Sequence, residues 1–160
     1  MPSRAKLTHQ PHSRVLLIDG HRVGLRARCT VLEEAGHEAT GVTSLDEALA
    51  ILAEEKFSVI VTEFKFTGNV TCTEVISRLR EVAPGTPVIL LSGYVDALGL
   101  CERSTGADAV LMKSASEPNQ LTHTVSRLLR MKPVVARAKK PVASDHSSSR
   151  KVIQMTGTAR

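Results

Sequence analysis

The chain has 160 residues, of which 42% are hydrophobic and 2% aromatic, and its formal net charge is +5. This length and composition are ordinary for one globular domain with an aliphatic core. No apolar run approaches the roughly 20 residues that a membrane span needs, and the first 13 residues lack the apolar stretch of a signal peptide. We therefore expect a cytoplasmic protein that does not enter a membrane.

The positive charge is concentrated at the two ends of the sequence. Residues 133–160 carry a net charge of +5 and residues 1–13 carry +2, so residues 14–132 are mildly acidic, at −2. The C-terminal segment is rich in Ser, Ala, Lys and Pro and has little hydrophobic periodicity. We interpret residues 14–132 as the folded domain, residues 1–13 as a flexible basic segment, and residues 133–160 as a disordered basic tail with no output domain.

Five short apolar runs alternate with amphipathic segments along the folded domain. The second amphipathic segment opens with Ser44 and Glu47 at capping-box spacing, where each side chain accepts a hydrogen bond from a backbone amide of the other residue. Strands that alternate with helices form a parallel sheet covered on both faces. The sequence therefore predicts a doubly wound α/β fold, with five parallel strands in the flavodoxin-like order 2-1-3-4-5 and five helices. The fourth of these is a short helix marked by Ala97, Leu100 and Cys101 and closed by Gly106.

The three cysteines are an odd number and include no C-x-x-C pair. Cys29, Cys72 and Cys101 each fall within a predicted helix, so we expect reduced, buried thiols. No paired base accompanies them in the sequence, and we do not expect a thiol-dependent enzyme.

Polar side chains follow four of the predicted strands. Asp19, Glu63, Ser92 and Lys113 come at the carboxyl ends of strands one, three, four and five. Function in open α/β sheets collects at that edge, so we expect these side chains to converge. Each also has an ordinary interpretation: a helix N-terminal acid, an edge carboxylate, a helix cap and a solvated lysine, respectively.

The motifs around these residues resemble the receiver domain of bacterial two-component response regulators, the CheY-like family, over about residues 14–132. The matching stretches are Val-Leu-Leu-Ile-Asp-Gly-His at residues 15–21, Lys56 to Glu63, Leu-Ser-Gly at residues 91–93, and Gly106 to Lys113. In that family an aspartate after the third strand accepts a phosphoryl group from a histidine kinase. Nearby acids hold Mg²⁺, and the hydroxyl and lysine side chains bind the phosphoryl product.

The sequence departs from the family pattern at the positions that carry this chemistry. The acceptor position is Glu63, and the second member of the acidic pair, the direct metal ligand in the family, is Gly20. The position of an aromatic switch residue is Val110, and Ser114 stands where proline is usual. The resemblance thus assigns Asp19 and Gly20 to the acidic pocket, and Ser92 and Lys113 to phosphoryl binding.

These departures predict little or no phosphorylation. The extra methylene of Glu63 misplaces its carboxylate, and phosphoryl transfer is sensitive to errors of that size. Without a side chain at Gly20, Mg²⁺ retains only Asp19 and Glu63 as side-chain ligands, so we expect no bound cofactor. We hypothesise that Glu63 reaches towards Lys113 and Ser92 and partly mimics a phosphoaspartate, with about one negative charge in place of about two. A phosphorylatable receiver that tolerates Glu63 is the alternative.

We expect a stand-alone receiver without enzyme activity, which transmits signals through contacts with a sensor histidine kinase or a downstream signalling protein. The resemblance places the partner surface, or a homodimer contact, at residues 96–131. A rival hypothesis is a nucleic-acid-associated protein that binds through residues 133–160. That tail has neither interleaved aromatic residues nor a helix-turn-helix pattern, so we do not expect nucleic acid as the partner.

Overall fold

The computed structural model describes residues 13–65 and 70–131. Five strands form one parallel sheet in the order β2-β1-β3-β4-β5. They are β1 Arg14–Ile18, β2 Glu38–Val42, β3 Val59–Glu63, β4 Val88–Ser92 and β5 Ala109–Met112. The predicted flavodoxin-like fold class and strand order are confirmed.

Helices connect the strands and cover both faces of the sheet. They are α1 Arg22–Glu34, α2 Leu45–Glu54, α3 Cys72–Val82, α4 Val95–Leu98, α5 Glu102–Thr105 and α6 Glu117–Arg130. The described residues thus contain six helical segments where five were predicted. The expected short helix between β4 and β5 is divided into α4 and α5, because Gly99 adopts a left-handed conformation with φ of 59° and ends α4.

Alternate side chains of the central strands pack against opposite helical layers. On one face, Leu16, Ile60 and Leu90 contribute to a buried cluster with residues of α2 and α3. On the other face, the buried residues of the same strands pack with α1 and α6: they are Val15, Leu17, Val59, Val61, Ile89 and Leu91. Burial on both faces explains why the strands read as continuous apolar runs in the sequence.

The start of α2 confirms half of the predicted capping box. Ser44 Oγ accepts a hydrogen bond from the Glu47 amide at 3.2 Å. The Glu47 carboxylate accepts from the Thr43 amide at 3.1 Å, one residue before the predicted donor. The carboxylate still satisfies a backbone amide ahead of the helix, which is the stabilising role of the motif.

The prediction of three buried helical thiols is wrong for Cys101. Cys72 is buried at the start of α3, and Cys29 is half-buried within α1. Cys101 is exposed and precedes α5 with an extended backbone. The break at Gly99 places this cysteine on the link between two short helices, where its side chain meets solvent.

The predicted N-terminal segment and C-terminal tail lie outside the described residues, except for Ser13. The boundaries of the folded domain at 14 and 132 therefore stay a prediction. Among residues 13–65 and 70–131, no helix has both the length and the apolar character needed to cross a membrane.

Candidate functional site

The candidate site lies at the edge of the sheet where the parallel strands end. Asp19 directly follows β1, Glu63 ends β3, and Lys113 directly follows β5. All three line one open pocket of about 430 Å³, together with residues of α1 and of the loop after β4. The strand order brings these distant sequence positions together, as the sequence predicted.

The carboxylate of Glu63 forms an ion pair with the ammonium group of Lys113. The Glu63 side chain is only 5% exposed. Two further charges surround the pair: Lys65 Nζ lies 3.6 Å from the same Glu63 oxygen, and Lys113 Nζ lies 3.7 Å from Asp19 Oδ2. Glu63 is therefore a largely enclosed carboxylate held between two lysines.

Ser92 ends β4 and is fully buried. Its Oγ atom accepts a hydrogen bond from the Tyr94 amide at 3.1 Å. Within residues 13–65 and 70–131, the contacts of Ser92 include no hydrogen bond to Glu63. The structure therefore shows the expected contact of Glu63 with Lys113. It does not show the expected contact with Ser92, whose hydroxyl instead binds a backbone amide of the loop after β4.

Asp19 is buried, and each of its carboxylate oxygens has a partner. Oδ1 accepts a hydrogen bond from the His21 amide at 2.7 Å. Oδ2 accepts one from Arg28 Nη1 at 2.5 Å, and the Lys113 ammonium group lies close to it. His21 in turn caps α1, since its Nδ1 accepts from the Gly24 amide at 3.1 Å.

Arg28 is a site residue that the sequence analysis missed. Its Nε donates to Glu117 Oε1 at 2.5 Å and its Nη2 donates to Glu117 Oε2 at 3.1 Å, while Nη1 holds Asp19. The guanidinium group thus joins the end of β1 to the first residue of α6. The signal in the sequence was the position of Arg28 on the apolar face of α1, three residues after Leu25 and four before Leu32.

The two neighbouring carboxyl groups shift each other's pKa in opposite directions. Burial raises the pKa of Glu63, and Asp19 raises it further against the lowering effect of Lys113. Burial also favours a raised pKa for Asp19, but Glu63, the His21 amide, Lys113 and Arg28 outweigh it, so the pKa of Asp19 is lowered. Asp19 is therefore the firmly ionised member of the pair, and Glu63 takes up a proton first on acidification.

Gly20 and Val110 are the two remaining positions that the sequence analysis singled out. Gly20 leaves room for a Cβ atom: among residues 13–65 and 70–131, such an atom would meet only the Thr43 carbonyl oxygen, at 3.8 Å. Val110 lies on β5, half-buried, and packs against the core layer that contains α2 and α3. Its valine side chain is smaller than the aromatic side chain that the resemblance implies at this position.

The arrangement does not fit Mg²⁺, which requires near-octahedral oxygen coordination. The Asp19 oxygens already accept from His21 and Arg28, and the Glu63 carboxylate is paired with Lys113. In the described part of the chain, no three His, Cys, Asp or Glu side chains cluster so that they could hold a metal ion. The carboxylate oxygens that a metal ion would need are already paired with positively charged side chains.

Comparison with known proteins identifies the family. The family model described as the response regulator receiver domain matches residues 15–126. The fold and the position of the site agree with that match, and the chain belongs to the receiver domain family of two-component response regulators. Receiver domains interact with histidine kinases or downstream signalling proteins in two-component systems.

Two curated relatives share this domain. The sensory/regulatory protein RpfC of Xanthomonas campestris pv. campestris is 31% identical over 106 residues, which cover 62% of this chain and 14% of RpfC. The response regulator protein FleR of Pseudomonas aeruginosa is 30% identical over 82 residues, which cover 51% of this chain and 17% of FleR. The chain therefore spans less than a fifth of the length of either relative.

Solved receiver structures have the same fold. The response regulator receiver protein from Sinorhizobium medicae is 26% identical, with a TM-score of 0.64, and the match covers 76% of this chain and 97% of that one. A response regulator from Thermotoga maritima is 27% identical, with a TM-score of 0.64, covering 74% and 98%. Both matches extend over nearly the whole of the other chain, as expected for one domain.

Proposed function

We propose that the chain is an atypical receiver that signals without phosphorylation of its own pocket. In this function Glu63 is a fixed negative charge at the phosphoacceptor position, and Lys113, which would bind the phosphoryl group, is neutralised by it. Information passes through contacts with a sensor histidine kinase or a downstream signalling protein, and the domain has no enzyme activity. This function rests on the ion pair between Glu63 and Lys113.

The charge environment supports this proposal. The Glu63 carboxylate already has one cation in contact and a second, Lys65, at 3.6 Å. Both lysines contact the same oxygen, Oε1, and an oxygen whose lone pairs are directed at ammonium groups is a weaker nucleophile towards phosphorus. The buried, hydrogen-bonded Ser92 and the glycine at position 20 leave few groups to hold a transferring phosphoryl group.

Phosphotransfer from a small phosphodonor tests the proposal directly. We expect that incubation with acetyl phosphate and Mg²⁺, followed by intact-protein mass spectrometry, gives no phosphorylated wild type. The matched variant carries Gly20→Asp and Glu63→Asp, and we expect it to accept phosphate and to respond to beryllofluoride in NMR spectra. Stable incorporation in the wild type that is lost in Glu63→Gln would establish the alternative, a phosphorylatable receiver that tolerates glutamate.

We also propose that residues 96–131 carry the contact with a partner or with a second copy of the chain. The family resemblance supports this assignment, and Leu98 adds to it because this apolar side chain is 44% exposed. A Leu98→Asp variant is expected to lose binding to the partner or to shift a dimer to monomer in analytical ultracentrifugation. The cytoplasmic location stays a prediction.

A further inference from the structure

Arg28 is the most buried cation of the site. Its side chain is 13% exposed, against 24% for Lys113 and 53% for Lys65. All three nitrogen atoms of its guanidinium group donate hydrogen bonds, one to Asp19 and two to Glu117. Such a planar fork suits carboxylate recognition, and here it joins two largely buried carboxylates, Asp19 and Glu117.

Among the described residues, the charges that pair at the pocket balance one another. Three cationic side chains face three carboxylates: Arg28, Lys65 and Lys113 face Asp19, Glu63 and Glu117. A divalent cation added to this set would leave two uncompensated positive charges in a partly desolvated place. It would also have to displace Arg28 or Lys113 from the carboxylate oxygens that they occupy.

We propose that Arg28 serves as the built-in counter-ion of the acidic pocket and lowers its affinity for divalent metal ions. The guanidinium group supplies the positive charge that Asp19 needs, and by holding Glu117 it fastens α6 to the end of β1. This inference rests on the proposed function, in which the pocket works without phosphorylation of its own, and it names the residue that keeps the pocket in that state.

The local structure of α1 is shaped for this arginine. Gly24 lies one helical turn before Arg28, and a Cβ atom at position 24 would come within 3.0 Å of Arg28 Nη1 and 3.5 Å of Asp19 Oδ2. The glycine therefore leaves the space through which the guanidinium group reaches Asp19. Because Glu117 is the first residue of α6, the same group links the pocket to the proposed partner surface at residues 96–131.

Metal titration of charge variants tests this inference. The main variant, Arg28→Gln, keeps hydrogen-bonding groups and removes the charge, while Arg28→Lys keeps the charge. We expect Arg28→Gln to bind Mg²⁺ or Mn²⁺ roughly tenfold or more tightly than the wild type, because one nearby positive charge is gone. Arg28→Lys is expected to bind like the wild type. Arg26→Gln, an exposed position on the same helix, is the matched control and should also bind like the wild type.

A second comparison uses Gly20→Asp, which adds a carboxylate ligand for a metal ion to the pocket. A Cβ atom at position 20 would make an ordinary van der Waals contact with the Thr43 carbonyl oxygen, at 3.8 Å. We expect Gly20→Asp to bind Mg²⁺ roughly tenfold more weakly than the combination of Gly20→Asp with Arg28→Gln. A thermal shift supplies an independent readout, because a metal that binds only the folded state raises the melting temperature with concentration.

The wild type itself provides a further readout, because the hydrogen bond of Arg28 can be followed directly. The Arg28 Nε–H signal in ¹H–¹⁵N NMR spectra, assigned through its absence in Arg28→Lys, is expected to stay unchanged as Mg²⁺ is added in the millimolar range. Displacement of that signal by Mg²⁺, or equal metal affinity in wild type and Arg28→Gln, would overturn the inference. The titration contains no phosphodonor, so its failure is distinguishable from phosphate uptake at Glu63, which would overturn the proposed function.

Discussion

Lys113, the first residue after β5, forms an ion pair with Glu63, the last residue of β3. The two side chains are 24% and 5% exposed, respectively, so solvent screens their interaction less than it screens a pair at the surface. A largely enclosed pair stabilises a fold mainly by the cost of separating it, since a partner left alone is a poorly solvated charge.

Removal of Lys113 should therefore destabilise the domain. We expect Lys113→Met to lower the free energy of unfolding by about 2 kcal/mol at neutral pH, less than for a fully buried pair because Lys65 remains near Glu63. Urea denaturation measures this change. Lys65→Met, at a 53% exposed side chain, is the control and should cost below about 1 kcal/mol.

The double variant shows whether the cost comes from the charge left behind. Glu63→Gln combined with Lys113→Met should recover at least half of the stability lost in Lys113→Met, because no unpaired carboxylate remains. A double variant as unstable as the sum of the two single variants would show that Glu63 and Lys113 act independently.

The pKa of Glu63 should lie above the usual value for a glutamate side chain. Burial and the Asp19 carboxylate raise the pKa of Glu63, so ¹³C NMR of its side-chain carboxyl group should give a midpoint above the usual range for glutamate. Lys113→Met should raise this pKa further, and Asp19→Asn should lower it, since the two neighbours act in opposite senses. A midpoint below the usual range in the wild type would contradict the assignment of Glu63 as the first group to protonate.

The same shift sets the sign of a pH effect on stability. Folded Glu63 retains its proton at higher pH than the unfolded chain does. The stability contributed by protonated Glu63 is fully present below the ordinary glutamate pKa and is lost as the pH rises through the raised pKa. Over that window, the free energy of unfolding should fall less in Glu63→Gln than in the wild type, as measured by urea denaturation at several pH values.

The sequence predicted the fold and part of the site because both follow from where strands end. Apolar runs that stop at Asp19, Glu63 and Lys113 define parallel strands, and the order of those strands brings their carboxyl ends together. The hydrogen-bond partner that each side chain selects is harder to predict. Ser92 lies at the expected strand end, yet its hydroxyl turns to the Tyr94 amide, a choice that depends on the conformation of one loop.

Arg28 and Glu117 escaped the sequence analysis for a different reason. Each is a charged residue in a helix, where the usual interpretation is a solvated face, and 89 positions of sequence separate them. Only the packing of α1 beside α6 brings them together. The split of the helix before β5 was missed because Gly99 marks a left-handed turn that hydrophobic spacing does not reveal.

Cys101 should be the most reactive of the three cysteines. A hydrogen bond with the Ser104 hydroxyl is the largest factor that lowers the pKa of the Cys101 thiol, and the side chain is exposed. Burial and Glu33 raise the pKa of Cys29. Labelling with a thiol reagent at neutral pH, followed by peptide mass spectrometry, should modify Cys101 first, and Ser104→Ala should slow it by roughly threefold. Equal labelling of Cys29 and Cys101 would contradict this order.

The interaction between Arg28 and Glu117 should be much stronger than that of an arginine–carboxylate pair at the surface. Their side chains are 13% and 8% exposed, and the contact is bidentate. We expect Arg28→Met to lower the free energy of unfolding by about 3 kcal/mol, because Glu117 loses its arginine partner and Asp19 loses one of its two cations. Urea denaturation of the single variants and of Arg28→Met with Glu117→Gln gives a coupling energy of about 1–3 kcal/mol.

The surface pair of Arg78 and Asp46 supplies the matched comparison for this cycle. Its two side chains are 51% and 89% exposed, and the nitrogen–oxygen distance is 3.3 Å. Salt screens such a pair and flexibility weakens it, so its coupling energy should stay below about 0.5 kcal/mol and vanish in high salt. The Arg28–Glu117 coupling should persist in high salt, because these charges are shielded from counter-ions. Equal coupling energies for the two pairs would show that Arg28 behaves as an ordinary surface arginine and does not link α6 to the pocket.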